Sequence, residues 1–435
     1  MRYAAYRSID ELWLTIIPDH WSSRKVKYVF TERIEKDYPN EPLLVASQNM
    51  GVVPKGVYGS RTVEATKDLH NLKLVRVGDF VISLRSFQGG LEYAYYQGII
   101  SPAYTVMIPN NHISGGYFRY LAKSKLFIEL LQMCVTGIRE GQNIDYGKLK
   151  NHLIPLPPRD EQDQIVRYLD WKVTQINRLI KIKRRQIALL QEQKRGIVSS
   201  RLSGELVWLK RLLSSPFQYG ANNSGVEYSS SLARYIRITD ISLDGRLKVE
   251  GAKSLSDEIA EPYILSDGDV LFARSGATAG KSFLYKAEYG LCAFAGYLIR
   301  VRVDTKKLLP EYLIYVTNSS GYEQWRNSVF IQATIQNISA ERYGQLPVPV
   351  PSLNEQQSIV TCLDAQCGRI DSIVNKLTDE IALFVEYRTR LISDVVTGKV
   401  DVRGVVVPEY EVVEDVSGDI DEMKKMQKEE SSHDG

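Results

Sequence analysis

Ser275-Gly-Ala-Thr-Ala-Gly-Lys281-Ser282 is one substitution away from a loop that cradles nucleotide phosphates. Such a loop needs a helix after the lysine, so that backbone amides and the helix dipole hold the anion. The residues after Ser282, Phe283-Leu-Tyr-Lys286, read as strand, and the related stretch Ser86-Phe-Gln-Gly-Gly90 has no lysine. Nucleotide chemistry is therefore not expected. No Asn-Pro-Pro-Tyr or Asp-Pro-Pro-Tyr tetrapeptide for adenine methylation occurs. Nor do GxSxG, HExxH or a closely spaced set of metal carboxylates. Cys134, Cys292, Cys362 and Cys367 form no CxxC pair, and the five histidines are scattered, so neither zinc nor a disulfide framework is expected. The expectation is a chain without catalysis, cofactor or metal of its own.

Charge points to a partner. The formal charge is +3, but residues 405–435 hold ten acidic residues against three lysines. That leaves +10 on residues 1–404. A basic body favours a polyanion. The acidic end, 404–435, has the composition of a disordered tail. Hydrophobic residues make up 44% and charged residues 25%, an ordinary globular balance. No apolar run reaches the roughly 20 residues of a membrane span, and the N-terminus lacks a signal-peptide core. A cytoplasmic protein is expected.

The elements that position any site come from an internal repeat. At an offset of 194 residues, Pro155-Leu-Pro-Pro-Arg-Asp-Glu-Gln-Asp-Gln-Ile-Val166 aligns with Pro349-Val-Pro-Ser-Leu-Asn-Glu-Gln-Gln-Ser-Ile-Val360. The match runs on without a gap to Gly204 and Gly398. Upstream, Gln142-Asn-Ile pairs with Gln336-Asn-Ile, and Gly78-Asp-Phe-Val-Ile-Ser-Leu-Arg-Ser86 with Gly268-Asp-Val-Leu-Phe-Ala-Arg-Ser275. The chain is thus read as two copies of one unit, a variable domain followed by a long helix. The boundaries are 1–155, 156–206, 207–351 and 352–403, with the tail at 404–435.

The helices start after prolines, with Asp160 and Asn354 as capping candidates, and stop at Gly204 and Gly398. An apolar seam of period 3.5 runs through Leu169, Ile176, Leu190 and Ile197 in the first. In the second it runs through Leu363, Ile370, Leu377, Phe384 and Leu391. Lys183 interrupts the first seam. About 40 helical residues span roughly 60 Å. Basic residues dominate the first helix and acidic ones the second, which favours an antiparallel coiled coil. Two helices packed separately on their own domains remain the alternative. The domains read as mixed α/β, with strands near 43–46, 80–83, 104–108, 234–238, 270–273 and 297–301. Helices are expected near 117–134 and 310–326.

These repeated segments resemble the conserved regions of Type I restriction–modification specificity subunits. Gly-Asp followed by an apolar triplet and Arg-Ser resembles the core of that family's target recognition domains, and Ile17-Pro-Asp-His-Trp21 resembles their Pro-x-x-Trp entry. Leu206-Val-Trp-Leu-Lys210, at the second entry, departs from that form. The resemblance covers residues 12 to 403. It implies two tandem α/β (α+β) target recognition domains, separated by two long helices in an antiparallel coiled coil with a pseudo-two-fold repeat. It implies that each domain reads one half of an asymmetric, two-part site on double-stranded DNA. It also implies partners: two methyltransferase subunits docked on the helices, and restriction (endonuclease/translocase) subunits. Those partners would use S-adenosylmethionine, ATP and Mg.

Candidate DNA-facing residues in the first domain are Arg85, Ser86, Gln88, Gly89 and Gly90, then Arg139, Gln142, Asn143 and Lys148. In the second they are Arg274, Ser275, Thr278 and Lys281, then Gln332, Thr334, Gln336 and Asn337. Arg and Gln can pair bidentately with guanine and adenine edges. Arg85 and Arg274 recur in both copies, which favours phosphate contact, and Asn143 and Asn337 can equally be turn residues. Two rivals stay open: a methyltransferase–specificity fusion or nuclease, and a coiled-coil scaffold with sugar- or peptide-binding heads.

Overall fold

The two repeated helical segments become helices Arg159–Arg201 and Leu353–Val396, of 43 and 44 residues. They are seen in a computed structural model that describes residues 2–58, 68–136, 143–241, 247–276, 279–331 and 337–410. The chain divides into two compact units. One holds Met1–Ile182 and Glu380–Gly418, the other Lys183–Asp379 and Asp419–Gly435.

The Glu-Gln pair shared by the repeats explains how each helix is fixed to its domain. Gln162 and Gln356 are both buried. The Gln162 carbonyl accepts from Ser114 N at 2.6 Å, and its amide donates to the carbonyls of His112 and Pro157. The Gln356 carbonyl accepts from Leu309 N at 2.8 Å, and its amide donates to Lys307 and Pro351. Each glutamine thus ties a helix start to the loop that enters its domain's own helices. The neighbouring glutamates diverge. Glu161 is buried and accepts from Tyr3 Oη at 2.6 Å and Trp21 Nε1 at 3.0 Å. Glu355 is exposed and closes a capping box with Ser352. The cap of the second helix is therefore Ser352 rather than Asn354. Asp160 likewise falls inside the first turn, because Arg159 is already helical.

In the first unit the start of the first long helix packs against the end of the second. Leu169, Ile176 and Ile180 share one core with Ile381, Phe384 and Leu391, and Arg388 Nη1 donates to Asn177 Oδ1. In the second unit the end of the first helix packs against the start of the second, with Val198 against Leu363 and Cys367. Lys194 Nζ lies 2.7 Å from Asp371 there. The order of these contacts is antiparallel in each unit. Among the seam positions Leu169, Ile176, Leu363, Ile370 and Leu391 are buried, while Leu190, Ile197, Leu377 and Phe384 are half-buried.

The first unit is built on a four-stranded antiparallel sheet ordered 30–33, 105–109, 80–82, 92–93. Helices Gly115–Leu121 and Lys125–Met133 cover it, with the Phe118 ring centroid 4.5 Å from Phe30 and 4.8 Å from Phe80. The single helix expected near 117–134 is thus two, because Ser124 caps a new start by accepting from Phe127 N. The second unit repeats this. Its sheet is ordered 218–219, 298–301, 270–273, 282–284, and its helices Pro310–Thr317 and Ser320–Ile331 break at Ser319, which accepts from Tyr322 N. A second sheet there contains one parallel pair, 233–236 with 292–294.

Past the second long helix, Gly398 takes a φ of +79° and packs against Pro18 and Trp21. Gln164 Nε2 then donates to the carbonyls of Val402 at 3.1 Å and Val405 at 2.7 Å. The segment expected to be a disordered tail from 404 onward therefore begins as packed chain. Residues 411–435 lie outside the described residues.

Candidate nucleic-acid interface

The Gly-Asp motif comes first, because it places the candidate loops. Asp79 and Asp269 are both buried. Asp79 accepts from Arg76 N at 2.8 Å and from Arg33 through Nε at 2.7 Å and Nη2 at 3.1 Å. Asp269 accepts from Ser266 N at 2.8 Å and from Arg302 Nε and Nη2, both at 2.7 Å. Each carboxylate closes the turn at its own residue and the glycine before it, at a φ of +96° for Gly78 and +84° for Gly268. The motif is a turn lock. The strand it launches, 80–82 in one domain and 270–273 in the other, leads through Ser83 and Leu84 to Arg85 in the first and directly to Arg274 in the second.

In the first domain Arg85 and Gln88 are exposed. Ser86 is fully buried, and its hydroxyl accepts from Ser83 N at 2.8 Å. Gly90 is buried with φ +83°, and a Cβ there would lie 2.1 Å from the Ala122 carbonyl oxygen. The expectation that all five loop residues face outward therefore fails for Ser86 and Gly90, which shape the loop. Gly89 packs on the Gln48 side chain. Asn143 is exposed on strand Asn143–Ile144, which touches helix Ser86–Gly89. Lys148 is exposed on helix Tyr146–Leu149, whose cap Asp145 accepts from Lys148 N. Arg139 and Gln142 lie outside the described residues.

A hairpin tip joins this surface that no motif had singled out. Ser47 pairs with Gly51, leaving Gln48, Asn49 and Met50 as a three-residue loop. Gly51 at φ +74° gives the left-handed residue such loops need. Gln48 Nε2 donates to the Arg85 carbonyl at 3.2 Å, and Asn49 and Met50 are exposed. The signal was present as Ser-Gln-Asn-Met-Gly between two short apolar runs, Leu44-Val-Ala46 and Val52-Val53.

Lys123 props this tip. Its ammonium donates to the Gln48 carbonyl at 3.1 Å and to both Glu92 oxygens at 2.8 Å. Burial pushes the Glu92 carboxyl from 4.5 up to about 7, outweighing the pull of Lys123. The folded value lies above the unfolded one, so this group's stability contribution is full below pH 4.5 and is lost as pH rises through about 7. Urea unfolding of the first domain should weaken across that window. Glu92→Gln should flatten the profile, and an unchanged slope would exclude Glu92 as its source.

In the second domain Arg274 is fixed through its backbone, donating from N to Tyr297 O at 3.0 Å and accepting from Ile338 N at 2.7 Å. Its guanidinium lies over the Tyr219 ring, 5.0 Å from the centroid. Ser275 bridges Asn337, which is exposed, so the two candidate segments meet here as in the first domain. Lys281 is exposed, and its carbonyl accepts from Ala273 N at 2.8 Å. The lysine is followed by strand Ser282–Leu284. Thr278, Gln332, Thr334 and Gln336 lie outside the described residues. Among the described residues no group of three or more His, Cys, Asp or Glu is placed to hold a metal ion. No helix among them is long and apolar enough to cross a membrane.

Comparison with known proteins bears on this arrangement. A family model, the Type I restriction modification DNA specificity domain, matches residues 18–190 and 228–383. The specificity subunit of the Type I restriction enzyme StySPI from Salmonella potsdam is 26% identical over 295 residues, 63% of this chain and 63% of the relative. That of EcoBI from Escherichia coli is 22% identical over 267 residues, 54% of this chain and 55% of the relative. The chain thus spans less than two thirds of the length of either relative. The specificity subunit of MjaVIII from Methanocaldococcus jannaschii is 21% identical over 357 residues, 76% of this chain and 81% of the relative. A chain solved in work on complex assembly and conformational transition of the type I R-M system aligns with TM-score 0.54 at 15% identity. It covers 88% of this chain and 99% of that one, a likeness of fold. Because the family model takes in well over half of its residues, in two stretches that each hold one Gly-Asp turn and one helix start, the chain belongs to the Type I restriction–modification DNA specificity family.

Proposed function

We propose that this chain is the sequence-reading, non-catalytic subunit of a Type I restriction–modification complex. Each domain reads one half of an asymmetric two-part site on double-stranded DNA, and the long helices set the unread gap between the halves. The observation that carries this reading is the repeated surface. In both domains a Gly-Asp turn with a buried carboxylate launches a strand that is followed by an arginine, Arg85 or Arg274, and the segment after that arginine meets an exposed asparagine, Asn143 or Asn337. Neither arginine has a carboxylate partner among the described residues. The +10 charge on residues 1–404 supports a polyanion as ligand.

Two methyltransferase subunits dock on the long helices. In the first unit those helices leave Leu179, Ile182, Leu383 and Tyr387 exposed, apolar side chains that a docked subunit would cover. Restriction subunits join that assembly in the cytoplasm. S-adenosylmethionine, ATP and Mg belong to the partners.

Co-expression with the neighbouring methyltransferase, followed by genome-wide mapping of modified adenines, tests the reading. One asymmetric motif of two short halves with a constant gap is expected. The purified complex should bind a duplex carrying it with log K falling steeply against log salt, by about 0.9 for each phosphate contacted. A soluble complex that leaves no motif would sink the proposal.

A further inference from the structure

The recurrence of Arg85 and Arg274 suggests the same task for both, but their surroundings differ. Arg85 is exposed, and no aromatic ring holds it among the described residues. Arg274 is half-buried with its guanidinium over Tyr219. Its Nε is buried and has no hydrogen-bond partner among the described residues. Arg302 and Arg237 are paired with Asp269 and Asp240, whereas Arg234, Arg300 and Arg326 also have a buried Nε without a partner; among the described residues, stacking on a ring is what sets Arg274 apart from those three. A buried donor left without an acceptor costs about 1–3 kcal/mol. A site that keeps such a donor is suited to a ligand that brings an acceptor.

The ring beneath is itself held. The Tyr219 hydroxyl accepts from Ala340 N at 3.1 Å, and strand Gln218–Tyr219 pairs with Leu298–Val301. That same strand pairs with Val270–Ala273, whose next residue is Arg274. The guanidinium therefore rests on a platform built into the sheet, with the Arg274 backbone fixed on both sides. Stacking on an aromatic face restrains the planar fork, so little rotamer freedom is lost on binding. A mobile, solvated arginine suffices for a phosphate. A fork fixed in orientation matches the paired acceptors O6 and N7 of guanine.

We propose that Arg274 reads a guanine edge in the half-site of the second domain, with Tyr219 as its positioning residue, whereas Arg85 contacts the DNA backbone. This rests on the reading of the chain as a DNA specificity subunit. Arg274 is thereby a determinant of sequence, and Arg85 is a determinant of affinity alone.

The test uses the full chain in complex with its methyltransferase. Adenine mapping of the wild type first supplies the site. Binding is then measured on duplexes in which each guanine of the two halves is replaced in turn by 7-deazaguanine, which lacks the N7 acceptor. One replacement should weaken wild-type binding about 5- to 150-fold, the span expected of a bidentate contact. Arg274→Ala should bind the natural duplex correspondingly less well and show no further loss on that one analogue. Tyr219→Ala should reproduce part of the loss at the same guanine, while Tyr219→Phe, which keeps the ring, should not. Arg85→Ala should weaken binding to every duplex by the same factor. Thermal unfolding of each variant separates these results from misfolding, and Arg274→Lys, which keeps the charge, supplies a second variant. Uniform weakening by Arg274→Ala on all duplexes, with every analogue still costing its full factor, overturns the assignment in favour of phosphate contact. A half-site without guanine on either strand overturns it too. A wild-type complex that yields no two-part motif overturns the specificity-subunit reading itself, and is distinguishable because it appears before any substitution is made.

Discussion

Replacing Asp79 by alanine should lower the stability of the first domain by about 3–5 kcal/mol, the range for breaking a buried ion pair from one side. The aspartate and its partner Arg33 have side-chain exposures of 3% and 7%. Removal of the carboxylate leaves a guanidinium in the interior, and it frees Arg76 N from the turn. Arg33 keeps only Glu35, which is itself 38% exposed. The equivalent Asp269→Ala should cost less, about 1–3 kcal/mol, because Arg302 is 34% exposed and can turn to water. Urea unfolding followed separately in the two domains would show the inequality. Replacing both members, Asp79→Leu with Arg33→Met, should recover much of the loss, since an apolar pair leaves no charge behind. Equal and small losses in both domains would remove the buried pair as the reason for the motif.

That inequality bears on what the sequence could reveal. The periodicity of the two helical segments was legible because every turn repeats the same constraint, and the internal repeat supplied it twice. The glutamine of Glu-Gln was visible as a repeat, but its task was not. A buried amide that accepts from one loop and donates to two carbonyls is defined by residues some 50 positions away. Glu161 and Glu355 carry the same letter with opposite fates, because Tyr3 and Trp21 cover only the first. The departure at the second entry has a structural counterpart. Trp208 stands 45% exposed on a strand paired with 347–350, whereas Trp21 is buried.

The candidate site was legible to a similar depth. Loop chemistry pointed to 85–90 and 274–281, since Arg, Gln and Gly after a strand can be recognised locally. Burial cannot be, so Ser86 and Gly90 were grouped with residues that do face outward. Tyr219 lies 55 positions before Arg274. Only the pairing of 218–219 and 270–273 with the common strand 298–301 brings them together. The tip at Asn49 was missed for the same reason, as its docking on the Arg85 carbonyl is a tertiary contact.

Gly90 and Gln88 give the sharpest separation of shape from reading. Gly90→Ala should destabilise the first domain by about 3 kcal/mol or more. Its backbone, at φ +83° and ψ −173°, lies in a region essentially closed to residues with a Cβ. The added carbon would also press to 2.1 Å on the Ala122 carbonyl oxygen, which is backbone and cannot swing aside. Displacing that contact moves Lys123, and with it the prop beneath the Gln48 tip. Methylation should therefore fall at every site, with a lowered unfolding midpoint. Gln88→Ala should do the reverse. Its exposed amide makes no side-chain hydrogen bond among the described residues, so stability should hold within about 0.5 kcal/mol. If Gln88 reads a base edge, its loss should relax one position of the first half-site and leave the second half and the gap unchanged. A Gln88→Ala motif identical to wild type would remove it from the reading surface. A Gly90→Ala chain as stable as wild type would show that the loop can shift, and that its shape is not what the glycine protects.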